Sequence, residues 1–352
     1  MIPFQARKKL GKLFVSLLIL LLVAAIVLLC WTLWLNRFVV YTRNGVRLDF
    51  NSGEISGGVA AVPPTQGMDV DIYYNEGENV IQPENTELTQ LMGFYASEQM
   101  LTENFAEVEA QIKALPAGTP VMLDVKNIRG SFHYSTSLGA TSTAIDPIAM
   151  DRLISYLRQN EYYIIARLPA FRDFEYGLNN VNYGIFNPNR LSLWMDEDRC
   201  YWLNPASEGT LDYLRQITTE LKSLGFDEVL FQDFRFPDTE DIYVEGDRNT
   251  ILAEAAKTLV TVCATDTFAV SFHGSDALFP LPEGRSRLFL ENIAAADASN
   301  MALQTGLEDA TIRLVFLTDL LDTRFDSYGV LRPVNTAEQI QPSESRRVVF
   351  YQ

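Results

Sequence analysis

The sequence predicts an α/β fold: a (β/α)8 barrel of the TIM type, degenerate or incomplete in its C-terminal third at worst. A single transmembrane helix and a short β-hairpin stalk precede it. Three observations lead there. From about residue 90, short apolar runs alternate with segments of helical periodicity, the pattern of repeated strand–helix units and a parallel sheet. The strand-like runs are continuously apolar, as expected when both faces of a sheet are covered. Roughly 260 residues of such units remain, close to the ~250 that eight units require. An open doubly wound sheet is the alternative, but no GxGxxG or GxxxxGK[ST] follows a strand.

The chain has 352 residues. Residues 1–12 are basic and residues 13–35 are apolar, with Ser16 and Thr32 the polar members. That length crosses a hydrocarbon core of roughly 30 Å as a helix. Arg7, Lys8, Lys9 and Lys12 precede the span and Arg37 follows, which puts the N-terminus in the cytoplasm and the rest outside. A cleaved signal peptide would have an apolar core of about 7–15 residues before small residues. Here the run is longer and ends in "CWTLWLN", so an uncleaved anchor is expected. Residues 36–89 read as hairpin and stalk, with the hairpin centred on Asn44–Gly45.

The domain over 90–352 opens with the strand "LMGFYAS" (91–97) and a helix over 101–115. There follow strand 119–127, helix 147–160, strand 162–171 and helix 208–225, whose terminal glycine suits a C-cap. The fourth strand runs through Val229–Leu230–Phe231, then helix 248–264 and strand 267–275. Strands six to eight are assigned to 286–293, 311–320 and 346–352, with poor helices between them.

Four of the 28 basic residues lie in the first 36, which hold no acid. The remainder has 24 basic and 45 acidic residues, a net charge of −21. Such a domain repels nucleic acid and anionic membrane surfaces, and a neutral or cationic partner is expected. Cys200 and Cys263 could pair, or stay as buried thiols. Two histidines and no CxxC or HExxH give no reason to invoke a metal or other cofactor.

In a barrel the site lies at the C-terminal strand ends. Asp124, Lys126 and Asn127 stand there after strand two; Arg167, Arg172 and Asp173 after strand three. Gln232, Asp233 and Arg235 follow strand four, His273 and Asp276 strand five, with Glu291 and Asp319 beyond. Glu228 starts its strand and belongs to the opposite end. Trp202 precedes "LNP" and is either packing or a sugar-stacking platform.

"VMLDVKNIRGSFHY", "YYIIARLPAFRD", "YWLNP" and "GFDEVLFQDFRFP" occur in that order. Over roughly 90–276 the chain resembles a family of uncharacterised TIM-barrel proteins classed as glycoside hydrolases, similar to the alpha-amylase clan. The resemblance implies a carbohydrate substrate and catalysis by two carboxylates. Asp233 would be nucleophile or base, with Glu291 or Asp124 as acid. His273 and Arg235 would hold hydroxyls, with Lys126, Arg167 and Gln232 also facing the sugar and Trp202 stacking on it. Three departures stand against this. Gln232, Asn127 and Asn204 occupy positions where the family has or favours Asp, and an amide cannot ionise. If Phe231 packs outward, Gln232 faces the lumen, and Asp233 turns in only if the strand ends or bulges. The family's later "MVYPSHY" strand has no counterpart. The expected function is a membrane-anchored extracellular glycoside hydrolase acting on a polysaccharide or envelope glycan. The alternative is a catalytically silent barrel that binds a glycan or scaffolds an envelope complex.

Overall fold

The computed structural model describes residues 39–42, 45–48, 88–274 and 280–337. The chain divides into two units, Met1–Glu78 and Asn79–Gln352. The expected transmembrane segment, most of the stalk, Asp276 and the strand placed at 346–352 fall outside the described residues. No helix among the described residues is long and apolar enough to cross a membrane.

In the first unit, β1 (Val39–Thr42) and β2 (Gly45–Leu48) pair antiparallel, with Thr42 opposite Gly45. The hairpin is therefore closed one residue earlier than an Asn44–Gly45 turn would place it.

The second unit is an eight-stranded parallel barrel. Its strands are β3 (Met92–Ala96), β4 (Val121–Asp124), β5 (Ile164–Pro169), β8 (Glu228–Gln232), β9 (Ala269–His273), β10 (Leu288–Glu291), β11 (Leu314–Leu317) and β12 (Gly329–Pro333). β12 pairs with β3 and β10 pairs with β9, so the ring closes. A two-stranded antiparallel piece, β6 (Phe186–Asn187) with β7 (Ser192–Leu193), sits in the long β5–β8 connection. The helices are α1 (Glu98–Lys113), α2 (Pro147–Gln159), α3 (Phe174–Asn179), α4 (Glu208–Leu224), α5 (Arg248–Cys263), α6 (Ala298–Thr305) and α7 (Ala310–Arg313). The eighth strand is Gly329–Pro333, not 346–352: the ring needs a partner for both β11 and β3, and "GVLRP" pairs with both. The C-terminal third is degenerate in its helices, since α6 and α7 have only eight and four residues.

Local chemistry explains the helix bounds. The Asp146 side chain accepts from Ile148 N–H, and Pro147 opens α2. Gly225 closes α4 at φ +94°, a left-handed conformation that a residue with a Cβ adopts only with strain. Outward strand residues such as Val229, Phe231, Val270 and Phe272 join the helices in the main apolar core. Cys200 and Cys263 are buried free thiols.

Because side chains alternate across a strand, each lumen-facing set is read two residues apart, and the lumen has three layers. The middle is apolar: Met122, Ile165, Leu230, Phe289, Val315 and Leu331 pack on one another. Below it Glu228 is fully buried among Arg287, Tyr163 and Ser271. Arg287 Nη1 bonds one Glu228 oxygen, Tyr163 Oη donates to the same oxygen at 2.8 Å, and Ser271 Oγ donates to the other. Arg287 also reaches the Thr89 and Ile312 carbonyls at 3.0 and 3.2 Å. Glu228 thus stands at the opposite end from the strand termini, as its position predicts. Removing one member of a buried ion pair costs about 3–5 kcal/mol because the other charge is left unpaired. Glu228→Ala should lower unfolding stability in urea by about that much; a loss below about 1 kcal/mol would show that the lower layer contributes little.

Candidate functional site

The upper layer of the lumen is polar. Two residues above Met122, Ile165, Leu230 and Phe289 come Asp124, Arg167, Gln232 and Glu291, with His273 on the same face two residues above Ser271. The register sets Asp124 beside Arg167 and His273 beside Phe289. The barrel therefore gathers five of the nine residues expected at the site, Asp124, Arg167, Gln232, His273 and Glu291, around one mouth.

Arg167 organises this mouth. Its Nε bonds Asp124 Oδ1, its Nη2 donates to Asp124 Oδ2 at 3.0 Å, and its Nη1 donates to Glu291 Oε1 at 2.8 Å. It lies over the Tyr95 ring at 5.6 Å. Its two carboxylate partners hold the guanidinium charged against burial, with Asp124 the stronger. Asp124 Oδ2 also accepts from the Glu98 backbone N–H, at 2.7 Å, in the first turn of α1. Both Asp124 oxygens are thus occupied, a geometry suited to positioning Arg167 rather than moving protons. Glu291 keeps more freedom: Oε2 lies 3.8 Å from His273 Nε2.

Among the described residues, His273 Nε2 is buried without a hydrogen-bond partner. Burial holds its imidazole below the usual histidine range, although Glu291 and Asp233 pull upward; at neutral pH the ring is uncharged. An unsatisfied buried nitrogen at a strand end is a candidate contact for a ligand hydroxyl.

Phe231 packs outward against Phe234 and Phe272, so Gln232 faces the lumen. Strand β8 ends there, and Asp233 takes φ +52°. This left-handed turn re-aims a side chain that simple alternation would point outward. Asp233 Oδ2 comes to 3.8 Å from Arg172 Nη1, and its charge acts on His273. Burial raises the Asp233 carboxyl above the usual range, more strongly than Arg172, Arg235 and His273 lower it. Asn292, directly after Glu291, has a similar φ of +58°, so both carboxylate-bearing rims end in strained turns. A cleft of about 690 Å³ lies above Glu291, lined by Tyr95, Arg167, Asn292 and Asp319.

Two expected sugar contacts are placed otherwise. Lys126 is buried and pairs with Asp173 at 2.6 Å. Asp173 also accepts from Tyr213 Oη at 3.0 Å and caps α3 through Tyr176 N–H, so Lys126 is a buried strut, its loop folded back by the Lys126–Phe132 bridge. Trp202 is 2% exposed. Its Nε1 donates to Asp196 at 2.9 Å, while Arg235 and Arg172 lie over its ring at 5.1 and 5.6 Å. It holds arginines and has no free face for a sugar. Arg235 otherwise donates only weakly to the Phe236 carbonyl, at 3.4 Å, and stands between this tryptophan and the mouth.

Of the three amides, two serve loops. Asn127 Oδ1 accepts from Arg129 and Ser131 N–H groups at 3.1 Å, and Asn204 Oδ1 from Ala206 N–H at 3.0 Å. Only Gln232 changes the chemistry of the lumen face. Glu98, Asp196 and Asp198 escape sequence reading, because loop folding brings them to Asp124 and to Arg172.

An acid whose carboxyl is raised in the fold favours folding when protonated and costs stability once ionised, so that cost appears as pH rises through the raised value. Asp233→Asn should therefore melt above wild type at pH 7, with the gap closing as pH falls below the ordinary carboxylate range. A gap that is absent, or that widens on acidification, would contradict the burial-dominated shift.

Residues 93–266 match a family described as "Putative glycosyl hydrolase domain". No curated protein matches the chain. Similar solved structures include a hypothetical protein from Ruminiclostridium thermocellum, 19% identical over 51% of this chain and 96% of that one, TM-score 0.42. The glycoside hydrolase domain of PelA from Pseudomonas aeruginosa is 14% identical over 70% and 96%, TM-score 0.43. Ega3 from Aspergillus fumigatus, complexed with galactosamine, is 11% identical over 71% and 94%, TM-score 0.46. Over residues 93–266 the chain is therefore similar to that domain.

Proposed function

We propose that the protein is a membrane-anchored glycoside hydrolase, its barrel held on the outer side of the membrane by the helix expected at Leu13–Leu35. Its substrate is a polysaccharide or envelope glycan. One observation carries the catalytic reading: Glu291 Oε2 lies 3.8 Å from His273 Nε2, which has no hydrogen-bond partner among the described residues, and the left-handed turn at Asp233 re-aims a second carboxyl at the same rim.

Glycoside hydrolysis needs one carboxyl that gives a proton to the leaving oxygen and one that stays negative. Burial suits Asp233 to the first role, since it raises the carboxyl above its ordinary range. The reversed assignment, with Asp233 as the charged partner, fits that environment less well. Glu291, fixed by Arg167 at 2.8 Å, suits the second role, as base or nucleophile. Asp124 orients Arg167, and His273 receives a substrate hydroxyl. A general acid contributes typically 10²–10⁴-fold. Reducing-sugar release from wall polysaccharides should accordingly fall about 10²–10⁴-fold in Asp233→Asn and in Glu291→Gln, with the alkaline limb of the pH–rate profile lost in Asp233→Asn.

Gln232 favours a second reading, a glycan-binding barrel without hydrolysis, because it places an amide on the lumen face. Wild type and both variants releasing no sugar, while all three bind the glycan alike, would favour that reading over the first.

A further inference from the structure

The β5–β8 connection builds a second concavity, about 950 Å³, beside the mouth. Its volume lies within the roughly 300–1,000 Å³ usual for ligand sites. Apolar side chains are presented there to solvent: Leu191 is 80% exposed, Val181 57%, Leu178 47% and Phe186 40%. Single exposed apolar residues need no explanation, but several sharing one concavity do.

The groove is built, not incidental. Buried Asn187 accepts the Asn189 and Arg190 N–H groups at 2.9 and 3.1 Å, shaping the tip between β6 and β7. Asn189 Nδ2 ties that tip to Asp241 at 3.0 Å, and Tyr243 N–H donates to the Phe186 carbonyl at 3.0 Å. Leu191 itself holds φ +52°, an outlier for a bulky residue. A strained backbone that displays a leucine to water points to a binding role.

The groove also adjoins the site. Its wall residue Trp194 packs edge-on against Trp202, centroids 6.1 Å apart. Asp196 takes both the Trp202 Nε1 and the Arg172 Nε bonds at 2.9 Å, and Arg172 faces Asp233. A line of contacts, Trp194 to Trp202 to Arg172 to Asp233, connects the groove wall to the acid. Aromatic and aliphatic faces interspersed with Arg190, Thr239 and Asp241 suit sugar rings, which offer apolar faces and hydroxyl edges. The net charge of −16 over residues 90–352, from 21 basic and 37 acidic residues, disfavours an anionic chain.

We propose that this groove is a distal subsite for a neutral or cationic polysaccharide whose chain continues into the barrel mouth. The proposal rests on the glycan reading above but not on catalysis. The test is affinity electrophoresis of the full chain through gels cast with chitosan, glycol chitin, laminarin or xylan. Wild type should be retarded by at least one, and the double variant Phe186→Ala/Leu191→Ser should lose at least fivefold in affinity. Leu303→Ser, a similarly exposed leucine on α6, should migrate as wild type. Wild type unretarded by all four polymers, or retarded equally with the double variant, overturns the subsite. Inactivity of Asp233→Asn with retention of binding bears on catalysis alone and leaves the groove supported.

Discussion

Two arginines cross the barrel, one above and one below an apolar layer, and the remaining architecture is arranged around their charges. Arg167 reaches from β5 to Asp124 beside it and to Glu291 on the far wall. Arg287 joins the foot of β10 to Glu228 on β8. A guanidinium removed from water is tolerated only when its donors are met, so each fixes several strands in register. The upper one does so at the rim, where it also determines which carboxylate oxygens remain available to a ligand. Asp124 has none free, whereas Glu291 keeps one turned toward His273.

This arrangement separates stability from chemistry along the strand axis. The lower layer is saturated: every Glu228 oxygen is bonded. The upper layer is incomplete among the described residues, with an imidazole Nε2 that has no hydrogen-bond partner, a carboxyl raised by burial, and two residues in left-handed turns. Such unsatisfied and strained groups persist where a ligand completes them.

The strands and most helices were legible because their signals are local: continuous apolar runs, an aspartate before a proline at 146–147, a glycine at 225. Alternation then places Asp124, Arg167, Gln232 and Glu291 on one face. The eighth strand was not legible. "GVLRP" offers two consecutive aliphatic residues between a glycine and an arginine, a weaker β signal than "RRVVFYQ"; it is a strand because closure requires one there. Lys126 and Trp202 failed as sugar contacts for a related reason. Whether a loop folds Lys126 back onto Asp173, 47 residues on, or Trp202 onto Asp196, six residues before it, depends on loop conformations that no periodicity encodes. The groove at 178–201 was invisible for the same cause.

The apolar middle layer has one more consequence. Met122, Ile165, Leu230 and Phe289 fill the bore, so the cylinder has a floor and a single doorway. Whatever enters at the rim must leave by it, and an outgoing fragment obstructs the next arrival. A long polymer that can slide sideways along the rim escapes that traffic problem, while a short one, seated end-on, does not.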